Sequence, residues 1–154
     1  LRITVDPVTE SWTSDRRPSL AGRLARLGFT DAARAERLLE EARRDTGSGL
    51  SDELLDALGG TADPDLALDG LLRLLARADE RGVGRDLRDA LAREPGTRER
   101  LTAVLGVSAA LADHLARHPE HWNVLRDGRA GPHPAGQHQH EAHDDRHVGA
   151  AYGH

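Results

Sequence analysis

The chain of 154 residues is long enough for one domain with a tail, and its net charge of −5 combines 21 basic with 26 acidic side chains. This balance disfavours a general nucleic-acid binder, and the absence of Cys excludes disulfides and thiolate metal sites. No apolar run approaches the roughly 18 residues of a membrane span, and the first residues lack the apolar stretch of a secretory signal. We therefore expect a cytoplasmic protein with neither nucleic-acid nor membrane partners.

The choice of residue types carries a second signal. Every basic residue is Arg, and both Lys and Met are absent, even at position 1. This usage predicts translation from GC-rich DNA, with Leu1 either an alternative start codon or the product of an internal cut.

A helical period begins at residue 18, after an irregular polar segment over residues 1–17. Leucines one turn apart predict a first helix that Gly28 ends, because glycine adopts the left-handed conformation without steric cost. Thr30 is predicted to cap a second helix that runs to about Arg44. The residues predicted to face inward are Leu20, Leu24, Leu27, Ala35, Leu38, Leu39 and Ala42.

The next two helices have clear start signals. Ser51 is predicted to cap a short helix that Gly59-Gly60 ends. Asp63 and Pro64 mark the next start, because the Asp accepts a first-turn N–H and the Pro lacks only an N–H that would have no partner. This helix is apolar over a wide arc and is predicted to be central, ending at Gly82 and Gly84. The predicted inward residues are Leu54, Leu55, Leu58, Leu68, Leu71, Leu72 and Leu75.

Three further predicted helices complete the region that has a helical apolar period. A short helix is predicted to stop at Pro95, a second to be capped by Thr97 and to end at Gly106, and a third to be capped by Ser108. The predicted inward residues are Leu87, Ala90, Leu91, Leu101, Val104, Leu105, Leu111, Ala112 and Leu115, followed by a turn from Pro119 with Trp122 and Leu125. Because no segment alternates like a strand, we predict an all-α bundle of about seven short helices over residues 18–126.

The C-terminal residues 128–154 are rich in His, Gly and Pro and have no apolar period. Such a segment buries too little apolar surface to offset the entropy of ordering, so both termini are predicted to be disordered tails. The tail histidines could bind Ni²⁺ or Zn²⁺ weakly through composition alone, which leaves metal storage as a minor hypothesis.

Two candidate sites concern metals. Nucleotidyl transfer uses a Gly-Ser turn and two carboxylates one residue apart on a strand, and Gly47-Ser48 with Asp63-Pro64-Asp65 matches that spacing loosely. The intervening proline and the capping role of Asp63 disfavour the match. His114, His118 and His121 share a helical spacing that suits zinc. Pro119 interrupts that face, so a polar helix face is the favoured interpretation.

Two further candidates are also disfavoured. Nucleophilic catalysis would need an activated hydroxyl, but Ser51, Ser108 and Thr97 are better explained as helix caps. Residues 97–117 form two helices joined across Gly106, as in a helix-turn-helix. The second helix is mostly Ala and Leu and offers few base-reading side chains. We therefore expect no catalytic, cofactor-binding or metal-binding residue in this chain.

Three motifs in order carry a resemblance to a known family. They are residues 26–31 followed by 35–39, residues 55–68, and residues 104–122 with Asp113, the His118-Pro119 pair and Trp122. Together they resemble the N-terminal region of the actinobacterial bifunctional glutamine synthetase adenylyltransferase/deadenylyltransferase. The resemblance covers about residues 18–126.

The resemblance implies a large cytoplasmic enzyme with two nucleotidyltransferase domains. One transfers AMP from ATP to glutamine synthetase and the other removes it, both with Mg²⁺ and under control of a PII signalling protein. The resemblance ends near Arg126, before any catalytic element, which predicts a truncated or frameshifted gene product that is inactive alone and needs no cofactor. The alternative is a free-standing helical protein-interaction module.

Overall fold

Residues 18–126 of the computed structural model are described, and they contain helices but no strand. The all-α fold class and the number of helices are therefore confirmed. The expectations for residues 1–17 and 128–154 lie outside the described residues. In chain order the helices are α1 (Leu20–Arg26), α2 (Ala32–Thr46), α3 (Asp52–Gly59), α4 (Pro64–Glu80), α5 (Gly84–Arg93), α6 (Pro95–Val107) and α7 (Ala109–Arg117), with a closing 3-10 helix (Pro119–Leu125).

Side-chain caps start three of the helices as their sequence predicts. Asp63 Oδ1 accepts a hydrogen bond of 2.9 Å from the Leu66 N–H, and Pro64 occupies the first turn of α4. The Oγ atoms of Ser51 and Ser108 accept from backbone N–H groups at the starts of α3 and α7. Each cap satisfies a donor that the helix itself leaves without a partner.

Helix α4 lies at the centre of the core, as predicted, and packs most extensively against α5, α6 and α7, with sparser contacts to α2, α3 and the 3-10 helix. Its buried apolar residues face α5, α6 and α7. Trp122 of the 3-10 helix is also buried and lies in the same core. Fully enclosed side chains include Leu24, Leu58, Leu68, Leu71, Leu74, Leu87, Leu101 and Leu105.

Two predicted caps were wrong. Asp31, not Thr30, caps α2, because Asp31 Oδ1 accepts from the Arg34 N–H while the Thr30 N–H donates to Asp65 Oδ2 at 2.7 Å. Thr97 lies inside α6 and is buried. Since Pro95 suits a first helical turn, α6 starts three residues earlier than a cap at Thr97 would place it, and the Thr97 hydroxyl donates to Glu94 Oε2 at 2.8 Å.

Two glycines predicted to end helices have other roles. Gly84 begins α5, and a Cβ there would collide with the Asp79 carboxylate, which pairs with Arg88. Gly106 lies within α6, where a Cβ would approach Thr61 Cβ to 2.7 Å. Neither glycine therefore stops a helix, and at Gly106 the close approach of Thr61 and of the Asp63 backbone leaves no room for a side chain.

The predicted inward face of α7 was wrong at Leu111, whose side chain is 46% exposed. Ala112 and Leu115 are buried, and Ala112 packs so closely on α4 that a Cβ at Gly70 would lie 3.0 Å from Ala112 Cβ. Residue 111 is one position round the helix from Ala112, so close approach to α4 leaves it at the edge of the interface.

Candidate functional sites

The Gly-Ser and Asp-x-Asp residues do not form one site. Gly47 adopts a left-handed conformation with φ of 72° and ends α2, and Ser48 follows it in the loop. Asp63 caps α4 with one carboxylate oxygen. Asp65 accepts from the Thr30 N–H with Oδ2, and its Oδ1 is buried with no hydrogen-bond partner among residues 18–126.

This arrangement does not fit a magnesium–nucleotide site. Residues two apart at the start of a helix point in different directions, whereas shared Mg²⁺ coordination needs both carboxylates on one side. Asp63 and Asp65 are also already engaged with backbone N–H groups. We therefore assign these carboxylates to holding the start of α4 against the turn before α2.

The hydroxyls considered as nucleophiles lie in helix starts. Ser51 and Ser108 accept first-turn hydrogen bonds, as predicted for caps. Thr97 is not a cap, but its hydroxyl is held by Glu94 in the buried start of α6. Each of the three oxygens thus has a structural partner in the helix start where it lies.

The three histidines that the sequence places on one face do come together at the end of α7. Their ring centroids are separated by 5.0, 5.1 and 5.2 Å. His114 Nε2 lies 2.9 Å from His121 Nδ1, and His118 Nδ1 lies 3.7 Å from Glu120 Oε1. Pro119 ends α7 before His121, but the 3-10 helix that follows turns His121 back towards α7.

The electrostatics of this cluster centre on Glu120. A backbone hydrogen bond lowers the pKa of the Glu120 carboxyl from its ordinary value, and the charges of His121, His118 and Arg81 lower it further. Within residues 18–126 no three ligand-type side chains adopt an arrangement that could hold a metal ion. The cluster is best described as an exposed polar face.

The helix pair α6 and α7 is joined through Ser108 alone. Ala112 and Leu115 face the core, and Asp113 accepts from Arg73 of α4 at 2.5 Å. One face of α7 is therefore occupied by α4.

Over the described part of the chain, no helix is both long and apolar enough to cross a membrane.

A positively charged cleft between α4 and α7 was not predicted. Arg73, Arg77 and Arg81 follow one another at one-turn spacing along α4, and Arg117 faces them from α7. Arg73 and Arg77 pair with Asp113 and Glu80. The spacing of four residues was the available sequence signal. Because Arg81 and Arg117 lie at helix C-termini, their charge stabilises the two helix dipoles.

An apolar groove between α2, α4 and α5 was also not predicted. Its volume is about 600 Å³, and its walls include Leu38 and Ala42 of α2 and Leu72 and Ala76 of α4. Leu38, Ala42 and Leu72 lie on apolar helix faces, as predicted, but their side chains are only half-buried. In the fold α2 packs closely on α1 and only sparsely on α4, so the apolar faces of α2 and α4 do not meet. Sequence periodicity alone could not show this arrangement.

Comparison with known proteins identifies what the helical unit is similar to. The chain is 54% identical over 110 residues to the bifunctional glutamine synthetase adenylyltransferase/adenylyl-removing enzyme of Streptomyces avermitilis. It is 49% identical over 118 residues to that of Streptomyces coelicolor and 40% identical over 112 residues to that of Mycobacterium tuberculosis. No family model and no solved structure matches the chain.

These matches cover about 71–73% of the chain but only 11% of each relative. The helical unit is therefore similar to one short segment of a much larger bifunctional enzyme. The chain is homologous to a segment of the actinobacterial bifunctional glutamine synthetase adenylyltransferase/adenylyl-removing enzyme, and the resemblance predicted from its motifs is confirmed. The alternative of a free-standing interaction module is not favoured.

Proposed function

We propose that residues 18–126 are a packing segment of an enzyme that attaches AMP to glutamine synthetase and removes it. The segment itself supplies no catalytic, cofactor-binding or metal-binding residue. ATP, Mg²⁺ and the nucleotidyltransferase chemistry belong to the rest of such an enzyme. Glutamine synthetase and a PII signalling protein are its partners, and the cytoplasm is its compartment.

The observation that carries the proposal is the 54% identity with the Streptomyces avermitilis enzyme over 110 residues. The site geometry agrees with a structural role. Asp63 and Asp65 hold the start of α4, and the hydroxyls of Ser51 and Ser108 cap helices. A segment whose polar groups serve its own helices contributes by packing against the remainder of the enzyme.

A chimeric enzyme tests this role. In the Streptomyces avermitilis relative, the matched segment is replaced by residues 18–126, and a second version carries a deletion there. We expect the chimera to transfer AMP to glutamine synthetase and to remove it, and the deletion version to lose both activities. The 154-residue chain with ATP and Mg²⁺ should transfer no AMP. Transfer by that chain alone, or a soluble chimera without either activity, would overturn the proposal.

A further inference from the structure

The apolar groove between α2, α4 and α5 has the features of an interface that lacks its partner. We propose that it is the docking site for one amphipathic helix of the remainder of the enzyme, with an aliphatic face and flanking Arg or Lys residues. This inference rests on the proposed function, because it takes the occupant from the same enzyme.

The first argument is the composition of the groove walls. Leu38, Leu50 and Leu72 are only half-buried although each lies against the core. Between them lie the small side chains of Ala42 and Ala76. Leucine ridges separated by alanines form the kind of surface into which the side chains of another helix interdigitate.

The second argument is charge at the rim. Asp79 is paired with Arg88, and Arg73 is paired with Asp113 outside the groove. Glu41 and Asp45 of α2 also line the groove. Within residues 18–126 neither has an ion-pair or hydrogen-bond partner. The rim therefore carries uncompensated negative charge, which favours a partner with basic flanks.

The same charges argue against a second copy of this chain. A symmetric dimer through the groove would place the Glu41 and Asp45 carboxylates of both copies in one interface, and like charges at an interface disfavour association. The third argument is length. The chain spans 11% of its relatives, so most of the polypeptide available to cover this face in those enzymes comes from outside the matched segment.

Binding in trans tests the assignment. The probe is the Streptomyces avermitilis relative without its matched segment, titrated with the full 154-residue chain in a calorimeter. Ala76→Arg places a bulky cation in the groove at an exposed helical position, and Ala42→Arg does the same from α2. The matched control is Ala103→Arg, an exposed mid-helix position of α6 outside the groove. Circular dichroism melts verify that each variant folds.

We expect each groove variant to weaken binding at least tenfold and the control to change it less than twofold. Neutralising the rim with Glu41→Gln and Asp45→Asn together should weaken binding several-fold at low salt, and less at high salt because ions screen exposed charges. The matched rim control is Glu40→Gln, an exposed position on the same helix.

Unchanged binding by both folded groove variants would overturn the docking site and leave the proposed function intact. So would self-association of the wild-type chain that Ala76→Arg abolishes, or tighter binding after removal of residues 1–17. If the wild-type chain does not bind the probe, the docking site is overturned, and activity of the chimeric enzyme decides separately whether the proposed function stands.

Discussion

The two faces of α4 are both apolar, yet they are packed differently. Towards α6 and α7 the contact is close, because Gly70 brings the helix within reach of Leu105 and Ala112. Towards α2 the leucine and alanine side chains line an open groove. An apolar helix face therefore indicates a surface that is stabilised by packing against a neighbour. A small residue such as Gly70 marks the place where a neighbouring helix already packs closely.

Truncating a side chain on the closed face should have the largest effect on stability. Leu105 is fully buried, so Leu105→Ala is expected to lower the free energy of unfolding by about 2–5 kcal/mol. Leu72→Ala on the open face removes a half-buried side chain and should cost about 1 kcal/mol. Urea titrations of both variants measure the two values. Equal losses would mean that the faces do not differ.

Adding volume provides the converse test. Gly70→Val introduces atoms where a Cβ alone would lie 3.0 Å from Ala112 Cβ and 3.1 Å from Leu105 Cδ2. Overpacking of this kind is expected to cost about 1–3 kcal/mol. The matched substitution Ala76→Val points into the groove and should change stability by less than about 0.5 kcal/mol. A stable Gly70→Val variant would contradict the close packing of α4 on α7.

The start of α4 should be less sensitive to substitution, because the Asp63 cap contributes one hydrogen bond. Asp63→Ala removes the acceptor for the Leu66 N–H, and the expected loss is about 1 kcal/mol. Asp63→Asn keeps a capping oxygen and should lose less. Thermal melts of the three proteins give the comparison. If Asn destabilised as much as Ala, the charge of Asp63 rather than its capping bond would be responsible.

The smallest effect concerns Asp79 at the rim of the groove. Its hydrogen bonds from Arg88 hold the pKa of the Asp79 carboxyl below its ordinary value in the folded chain. The resulting stabilisation is present above the unfolded pKa of about 3.9 and is lost as pH falls through the folded pKa. Because the side chain is 44% exposed, it is worth at most about 1 kcal/mol.

The measurement compares wild type with Asp79→Asn by urea unfolding between about pH 6 and pH 3. The stability difference should be constant at the upper end and should shrink as Asp79 becomes protonated. A difference that grows towards pH 3 would contradict the direction of the pKa shift. Asp89→Asn, at an exposed position of α5, serves as the control.

Local sequence signals predicted most of the helices. They gave wrong predictions at residues whose role depends on contacts with parts of the chain that are distant in sequence. Asp63-Pro64 was recognised because a cap and a first-turn proline act within one helical turn. Gly106 was misread as a stop, because its close contact with Thr61 depends on another part of the chain. Leu111 was misplaced for the same reason, since the approach of α7 to α4 decides which residue lies at the edge.

The candidate sites show the same division. The spacing of His114, His118 and His121 indicated a shared face. The structure was needed to show that the turn at Pro119 brings the His121 ring back to the His114 ring. The arginines of the cleft were visible as a repeat on α4, while Arg117 joins them only because α7 packs alongside.

By itself the sequence determined the all-α class, most helix boundaries and the resemblance to a bifunctional enzyme, because caps, apolar periods and motifs are local properties of the chain. Only the tertiary structure decided which apolar faces are closed. Burial depends on how near two helices approach each other, which small residues such as Gly70 permit in one place and the position of α2 prevents in another. Which face of α4 stays open is therefore known only from the tertiary structure.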